Sequence, residues 1–441
     1  MRIQRRPFVA SLLFLLAPSG LLAQTFNLRD LLTNFLIEGI LLAPPAQGLS
    51  HSAHFIDAGS PQIQALSAFS GEIAGQLSSF PLASSAGGFT YRFDPELGVL
   101  TRTTDSFGPI YTERADTIGQ GRFNFGVNYS SFTFDRMDGL SLRDGDLKLV
   151  FTHAPTCTPP CIFEGDVITT DLRLRITTNI TAFVLTYGVM DQLDLGVAVP
   201  LVKVDMFAQS QAVIQRLATS DVAPHTHEFQ GGGSSAVITQ SGSASGLGDV
   251  VARAKFRLFR QPMGALAMFA DVRVPTGDDR DLLGIGVTQV KGALIGSAHF
   301  SPVSVHVNGG YTWSAQKKGV KVVPDRIDYN LGIDVAAHPR FTFTAELLGQ
   351  VVRKTSTVLV QNNTYVAQHP NVDATVITTV TAVFPRLVVN PVSNQNRLSG
   401  AVGFKVNPVG NLLLTFNGLF PLDKKGLQDR FTPLVGVDYS F

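Results

Sequence analysis

The chain has 441 residues, of which 44% are hydrophobic and only 16% charged, against the usual quarter or so. A formal net charge of +1 gives no basis for a polyanion partner such as nucleic acid, and no stretch carries the ~18 uninterrupted apolar residues that a membrane-spanning helix needs. Alternating strands remain, either in a large soluble all-β protein or in a barrel facing lipid; 41 glycines and few charges suit the barrel.

At the start of the chain, Arg2, Arg5 and Arg6 precede an apolar run from Phe8 to Leu16, followed by Pro18, Gly20 and Leu21-Leu22-Ala23. A basic region, a short apolar run and a small residue predict an export signal over residues 1–23, cleaved after Ala23. Gln24 rather than Cys follows, so no lipoprotein anchor is read.

Residues 24–115 form a separate N-terminal segment. Leu28, Leu31, Leu32, Phe35, Leu36 and Ile40 recur at helical spacing, and a second helix is expected from Gln62 to Leu77. Ser84 to Gly88 breaks the chain. The segment is either a plug that enters the lumen or a helical piece at the periplasmic end, and the periplasmic placement is the one adopted. Residues 89–115 alternate weakly and give a small hairpin or two extra strands.

From residue 116 onward a barrel is expected. Phe123, Phe125, Val127 and Tyr129 alternate with polar or small residues; the phase slips at Ser130-Ser131, where a β-bulge would fit, and Phe132 and Phe134 continue it. In the next strand Leu172, Leu174 and Ile176 are expected to face lipid, with Arg173 and Arg175 inward. A bulge is expected at Pro200. Hairpins then follow in quick succession to the final strand, in which Val435, Val437, Tyr439 and Phe441 share one face, and Gly436, Asp438 and Ser440 the other.

The connections decide the class. Short turns near residues 190, 262, 302, 338 and 409 alternate strictly with long ones near 150, 230, 281, 320, 375 and 425. Short periplasmic turns and long outside loops are the pattern of a bacterial outer-membrane barrel, and a soluble sandwich has no reason to sort its loops this way. The expected fold is therefore all-β: a closed antiparallel transmembrane β-barrel of 12 strands, or 14 if residues 89–115 contribute two, with a short N-terminal helical segment. Tyr311, Trp313, Phe341 and Tyr439 would lie at the membrane interfaces.

Three stretches resemble a known family: Glu113 to Gly126 (E-R-A-D-T-I-G-Q-G-R-F-N-F-G), Thr186 to Gly196 (T-Y-G-V-M-D-Q-L-D-L-G) and Val274 to Asp278 (V-P-T-G-D). They are similar to outer-membrane transporters grouped with the MetA pathway of phenol degradation, which resemble the fatty-acid and aromatic-hydrocarbon uptake channels in turn. The likeness covers about residues 89–441 and rests on turn and strand-end signatures, which specify a barrel better than a substrate. It implies passage of small hydrophobic solutes, contact with outer-membrane lipid and lipopolysaccharide, and a terminal Phe441 similar to the signal read by the barrel-assembly machinery.

The inward parity supplies the candidate lumen lining: Arg173, Arg175, Arg253, Lys255, Arg257, Asp271, Arg273, Asp328, Asp334, Glu346, Arg397, Lys405 and Asp438. Inward charges must be paired or wet. They form either a selective pore or a mutually neutralising network that fills a narrow lumen. Cys157 and Cys161, in C-x3-C without nearby metal-binding partners, read as a local disulfide rather than a metal site. No cofactor is implied. His225-Thr226-His227-Glu228 reads as a solvated loop. Ser297, His299 and Ser301 share a strand face, but parallel side chains about 7 Å apart with no acid in the pattern make a poor catalytic set. The expectation is a non-enzymatic channel for small hydrophobic or aromatic solutes, crossed by passive diffusion; the alternative is a structural or surface-interaction barrel with an occluded lumen.

Overall fold

The computed structural model describes residues 27–43, 55, 61–77, 84, 88–94, 99–102, 105–153, 165–218, 227–316, 323–370 and 375–441. Twelve strands run up and down in chain order: β1 (Phe123–Phe134), β2 (Val167–Met190), β3 (Leu193–Gln215), β4 (Val250–Gln261), β5 (Gly264–Val274), β6 (Gln289–Phe300), β7 (Val303–Ser314), β8 (Arg326–His338), β9 (Phe341–Pro370), β10 (Ile377–Val406), β11 (Leu412–Pro421) and β12 (Thr432–Ser440). Each pairs antiparallel with its neighbours, and β12 returns to β1, from Ser440 opposite Asn124 to Leu434 opposite Ser130. The ring is closed, so every spanning strand finds partners on both sides without water. Two further strands, Leu147–Thr152 and Ser235–Leu247, pair with the outer parts of β2 and β3. The hairpin Tyr91–Asp94/Val99–Arg102 is a separate sheet, so the barrel count is twelve and not fourteen.

The strand period of two divides the side chains as lipid requires. Phe125, Leu185, Tyr187, Val272, Tyr311, Trp313, Val435, Val437 and Tyr439 are exposed on the outside, while Asn124, Thr186, Asn308, Thr415 and Asp438 are buried within. Phe123 stacks on Tyr187 at 4.4 Å, and Phe404 on Phe416 at 5.1 Å, which sets aromatic side chains near the short-turn rim.

A transmembrane strand needs about 9–11 residues. β2 and β3 have 24 and 23, and β9 and β10 have 30 each. Their excess rises on the side of the long connections, the cell-surface side, so stretches expected as loops near 235–245 and 355–394 are largely strand. Inside this raised wall sit two helices, α1 (Leu31–Gly39) and α2 (Pro61–Leu77). Leu32, Phe35, Leu36, Leu66, Phe69 and Ile73 bury the apolar stripe that predicted them, against Leu149, Leu172, Leu174, Ile176, Met206 and Phe229. Hydrogen bonds from the Leu28 amide to Asp281 (3.3 Å) and the Leu427 amide to Gln76, with the Arg29–Asp279 ion pair at 3.0 Å, tie them to surface loops. The helices therefore lie at the cell-surface end, opposite to the periplasmic placement expected.

The same core explains a reversal in β2. Arg173 and Arg175 are exposed on the outer face, whereas Leu172, Leu174 and Ile176 turn inward. Parity is fixed by Leu185 and Tyr187 in the membrane and carries upward unbroken. Above the membrane the inner face meets helices and the outer face meets water, so apolar-in becomes the rule. The expected bulge at Ser130-Ser131 is likewise absent: β1 pairs with β2 in one register from Phe123 to Phe134, which turns Phe132 and Phe134 inward. At Pro200 the register is also continuous; there β3 exchanges its partner β4 for the strand Ser235–Leu247.

Gly188, in the Thr186–Gly196 signature, lies under the chain entering β1. The Gly121 amide donates to its carbonyl at 2.8 Å, its own amide donates to Arg122 at 2.9 Å, and a Cβ there would collide with the Gly119 carbonyl. Gly119 itself has φ +100°, a conformation that favours glycine. Gly188→Val should cost about 1–3 kcal/mol, read as a lower urea midpoint of the micelle-bound barrel.

Candidate functional site: the lumenal arch and its chamber

Residues 105–121 do not line the wall. They enter the lumen from the short-turn end, rise to an apex at 110–113 and descend to β1. The contacts trace this path. The Phe107 amide donates to Thr342 Oγ1 (3.1 Å) and Lys405 donates to the Pro109 carbonyl (2.8 Å). At the apex the Ile110, Tyr111 and Thr112 amides all donate to the Glu346 carboxylate, at 2.8, 2.9 and 2.6 Å. Asn308 makes a reciprocal pair with the Glu113 backbone, at 2.7 and 2.8 Å. On the descent the Ala115 amide donates to Ser297 Oγ (2.8 Å), and the Ile118 amide to Asp194 (3.1 Å). A buried backbone without a ladder must find partners elsewhere, and the polar inner faces of six strands supply them.

The lumen charges are largely engaged with this arch or with one another. Lys255 is shared by Glu113 (3.7 Å) and Asp194 (3.8 Å). Arg253 is bidentate to Asp271 at 3.0 and 3.2 Å, and Arg257 donates to Thr117 at 2.8 Å. Lys291 pairs with Asp328 at 3.1 Å, Arg397 donates to Gln395 at 2.7 Å, and Asp438 accepts from Asn124 at 3.5 Å. All the sequence-derived lumen residues except Arg173 and Arg175 thus face inward.

His306 bridges Ser297 and Asp334, at 2.7 Å on each side; His299 bridges Ser304 (3.1 Å) and Asp116 (3.0 Å). The histidine therefore pairs across strands, not with the serine two residues along. Ser297, His306 and Asp334 are buried beneath the arch, and Ser297 Oγ already accepts the Ala115 amide, so the chain of contacts holds the arch. His227 is not solvated: it is buried and bonded to Asp166 at 2.9 Å. Cys157, Cys161 and His225 lie outside the described residues.

Burial pushes the Asp116 carboxyl up, but the hydrogen bond from His299 and the charges of His299, Arg260 and Arg114 outweigh it and hold it well below the usual carboxylate range. A carboxylate depressed in the folded state stabilises above its ordinary pKa, about 4, and that contribution is lost as pH falls through the lowered value. Asp116→Asn should therefore cost about 1–3 kcal/mol at pH 7. The gap from wild type should narrow below about pH 4, as urea midpoints at several pH values will show.

Above the arch is a chamber of about 260 Å³. Tyr111 and Glu113 form its floor, and Gln76 of α2 reaches it from above. One side is charged, with Arg253, Asp271, Arg273, Lys291, Arg326 and Asp328; the other carries the apolar Phe132, Phe134, Leu348 and Leu419, with Arg397 and the charged loop residues Asp423, Lys425 and Asp429 toward its upper rim. The apolar side abuts the β1–β12 seam. There the ladder ends at Ser130–Leu434, one residue short of Pro433, which has no N–H to offer. Higher up, the Thr133 amide is satisfied by Asp429 Oδ2 (3.0 Å), which also accepts Thr432 Oγ1 (2.9 Å). Sequence reading missed both the inward Phe132 and Phe134 and the arch. Strict parity carried on from Phe123 would have found the first. The second was concealed in Glu113–Gly126, where a strand-end signature proves to be the descending leg of the arch.

A closed, even-stranded antiparallel barrel with an apolar outer belt and polar interior defines an outer-membrane β-barrel protein, here with a backbone arch through its lumen. The profile of the family described as "Putative MetA-pathway of phenol degradation" matches residues 163–369, so over β2 to β9 the chain is similar to the family that its turn signatures suggested. Among solved structures, an outer membrane channel from Pseudomonas putida F1 is similar at 13% identity and a TM-score of 0.41, covering 74% of this chain and 98% of that one. A Pseudomonas aeruginosa FadL homologue is similar at 12% identity and 0.31, over 82% and 97%. The translocator domain of the autotransporter NalP from Neisseria meningitidis is similar at 8% and 0.37, over 73% and 89%. No curated protein matches the sequence.

Proposed function

We propose that this protein is an outer-membrane channel for small hydrophobic or aromatic solutes, which reach the chamber from the cell surface and leave it sideways by passive diffusion. The observation that carries the reading is the arch: its apex crosses the lumen beneath the chamber, pinned by Glu346 and Asn308, and supports a route that avoids the axis and follows the apolar wall toward the seam. An apolar solute gains nothing from a water-filled axis and loses nothing by entering lipid. The family description is consistent with such solutes. The test joins two measurements on the full-length protein. Planar bilayers should show no unitary conductance steps, and cells carrying the protein should take up radiolabelled toluene faster than vector controls. Steps in the wild type would indicate an axial pore, and uptake no faster than vector would leave a structural barrel.

A further inference from the structure

The charged side of the chamber has an uneven balance. Asp271 is engaged by both ends of the Arg253 guanidinium, and Asp328 by Lys291. The Arg326 side chain then makes no hydrogen bond or ion pair among the described residues, and its Nε is sealed from water without a partner. The carboxylate that acts favourably on it is Asp328, already paired with Lys291, and Arg326 lies among the like charges of Arg273 and Arg397. A half-buried guanidinium with no carboxylate bonded to it, set among other guanidinia, keeps donors free for an anion that comes and goes.

Its position adds an independent observation. A narrower cleft of about 60 Å³ lies between α2 and the barrel wall, bounded by Arg29, Glu72, Asp279 and Gln289. Arg326, Arg397, Gln76 and Gln350 line both this cleft and the chamber. These four side chains form the junction between the surface cleft and the inner cavity. Past the junction the far wall carries the apolar Phe132, Phe134 and Leu419.

We infer that Arg326 is the specificity-determining residue of this junction and that the preferred solute is a hydrophobic monoanion. Its carboxylate or phenolate is held at Arg326 while its apolar body lies against Phe132 and Phe134. The inference rests on the channel reading of the same chamber and narrows its substrate class. A fork of N–H donors suits such a head group, and a charge-assisted hydrogen bond is worth roughly tenfold or more in affinity.

The test uses full-length protein in nanodiscs and two probes of one shape, 4-phenylbutyrate and 4-phenylbutanol, measured by calorimetry. Wild type should bind the carboxylate at least about tenfold more tightly than the alcohol. Arg326→Gln should erase the preference and leave alcohol binding in place, and Arg326→Lys should retain part of it. Retained heat-modifiable mobility on gels establishes that each variant is folded. Equal binding of both probes by wild type, or a preference that survives in Arg326→Gln, overturns the inference. Toluene uptake separates the two levels: if toluene still enters, only the monoanion inference falls; if neither probe binds and toluene does not enter, the channel reading falls with it.

Discussion

Glu346→Ala should convert a silent barrel into one that conducts. The Glu346 carboxylate accepts three consecutive amides, Ile110, Tyr111 and Thr112, at the apex of the arch. Hydrogen bonds to a charged group contribute roughly 1.5–3 kcal/mol each, and a buried amide left unpaired costs about 1–3 kcal/mol. Alanine removes all three acceptors at once, so the apex loses several of its strongest attachments in a single substitution. The barrel wall should remain intact, because its ladder runs through backbone atoms: Glu346 pairs with Gly332 and Ala401 whatever its side chain. The arch should then leave its seat for part of the time, and planar bilayers should show unitary steps absent from wild type. Glu346→Gln keeps one carbonyl acceptor and should fall between. If Glu346→Ala stays silent, the arch is held chiefly by its legs, through Lys405, Ser297 and Asp194.

The sequence displays this molecule unevenly, for physical reasons. Within the membrane, water is absent on one side of every strand, so outward side chains are apolar and a strand such as Val303–Ser314 is legible residue by residue; inward apolar residues such as Leu434, Phe269 and Ile295, which pack against the arch and its surroundings, are the exceptions. Where strands rise above the membrane, the constraint inverts. Leu172 and Leu174 look lipid-facing by composition, yet they face inward because α1 and α2 fill the raised wall. Nothing local in residues 167–180 records that change; only counting parity from Tyr187 does. Phe132 and Phe134 misled for the same reason, since an inward aromatic at the wall of a chamber has the composition of an outward one. The arch was harder still. Its backbone bonds go to side chains scattered over Asp194, Ser297, Asn308, Glu346 and Lys405, and each of those residues taken alone reads as an ordinary inward polar group. The inward set itself was legible, because a charge facing lipid is too costly to occur. Its partition between arch-holding and solute-facing groups was not, because that depends on which carboxylates are already taken.

Fastening the β1–β12 seam should abolish uptake without unfolding the barrel. Continued by two residues, the register would set Thr432 opposite Phe132, but the ladder stops at Ser130–Leu434. Pro433 can donate nothing at the next position, and the Asp429 carboxylate occupies the place of a strand by taking the Thr133 amide. Between the Ser130–Leu434 pair and the Asp135–Gln428 backbone bond, where pairing resumes, the seam is therefore bridged by the Asp429 carboxylate rather than by a ladder, beside the apolar wall of the chamber. With Cys157 and Cys161 replaced by serine, the pair Phe132→Cys and Thr432→Cys can be joined by a cleavable bismaleimide. Toluene uptake should fall to the vector level when the link forms and recover when it is cleaved. Tyr129→Cys with Val435→Cys provides the comparison, because those residues are already ladder partners and a link there should change nothing. Unchanged uptake with complete linkage at 132 and 432 would rule out the seam as the exit. In the same way, Asp429→Ala should raise uptake, since it leaves the Thr133 amide unpaired and removes the group that holds the seam shut, at a cost of about 1–3 kcal/mol in barrel stability. Faster uptake from a less stable barrel is a combination that damage to the fold alone would not produce.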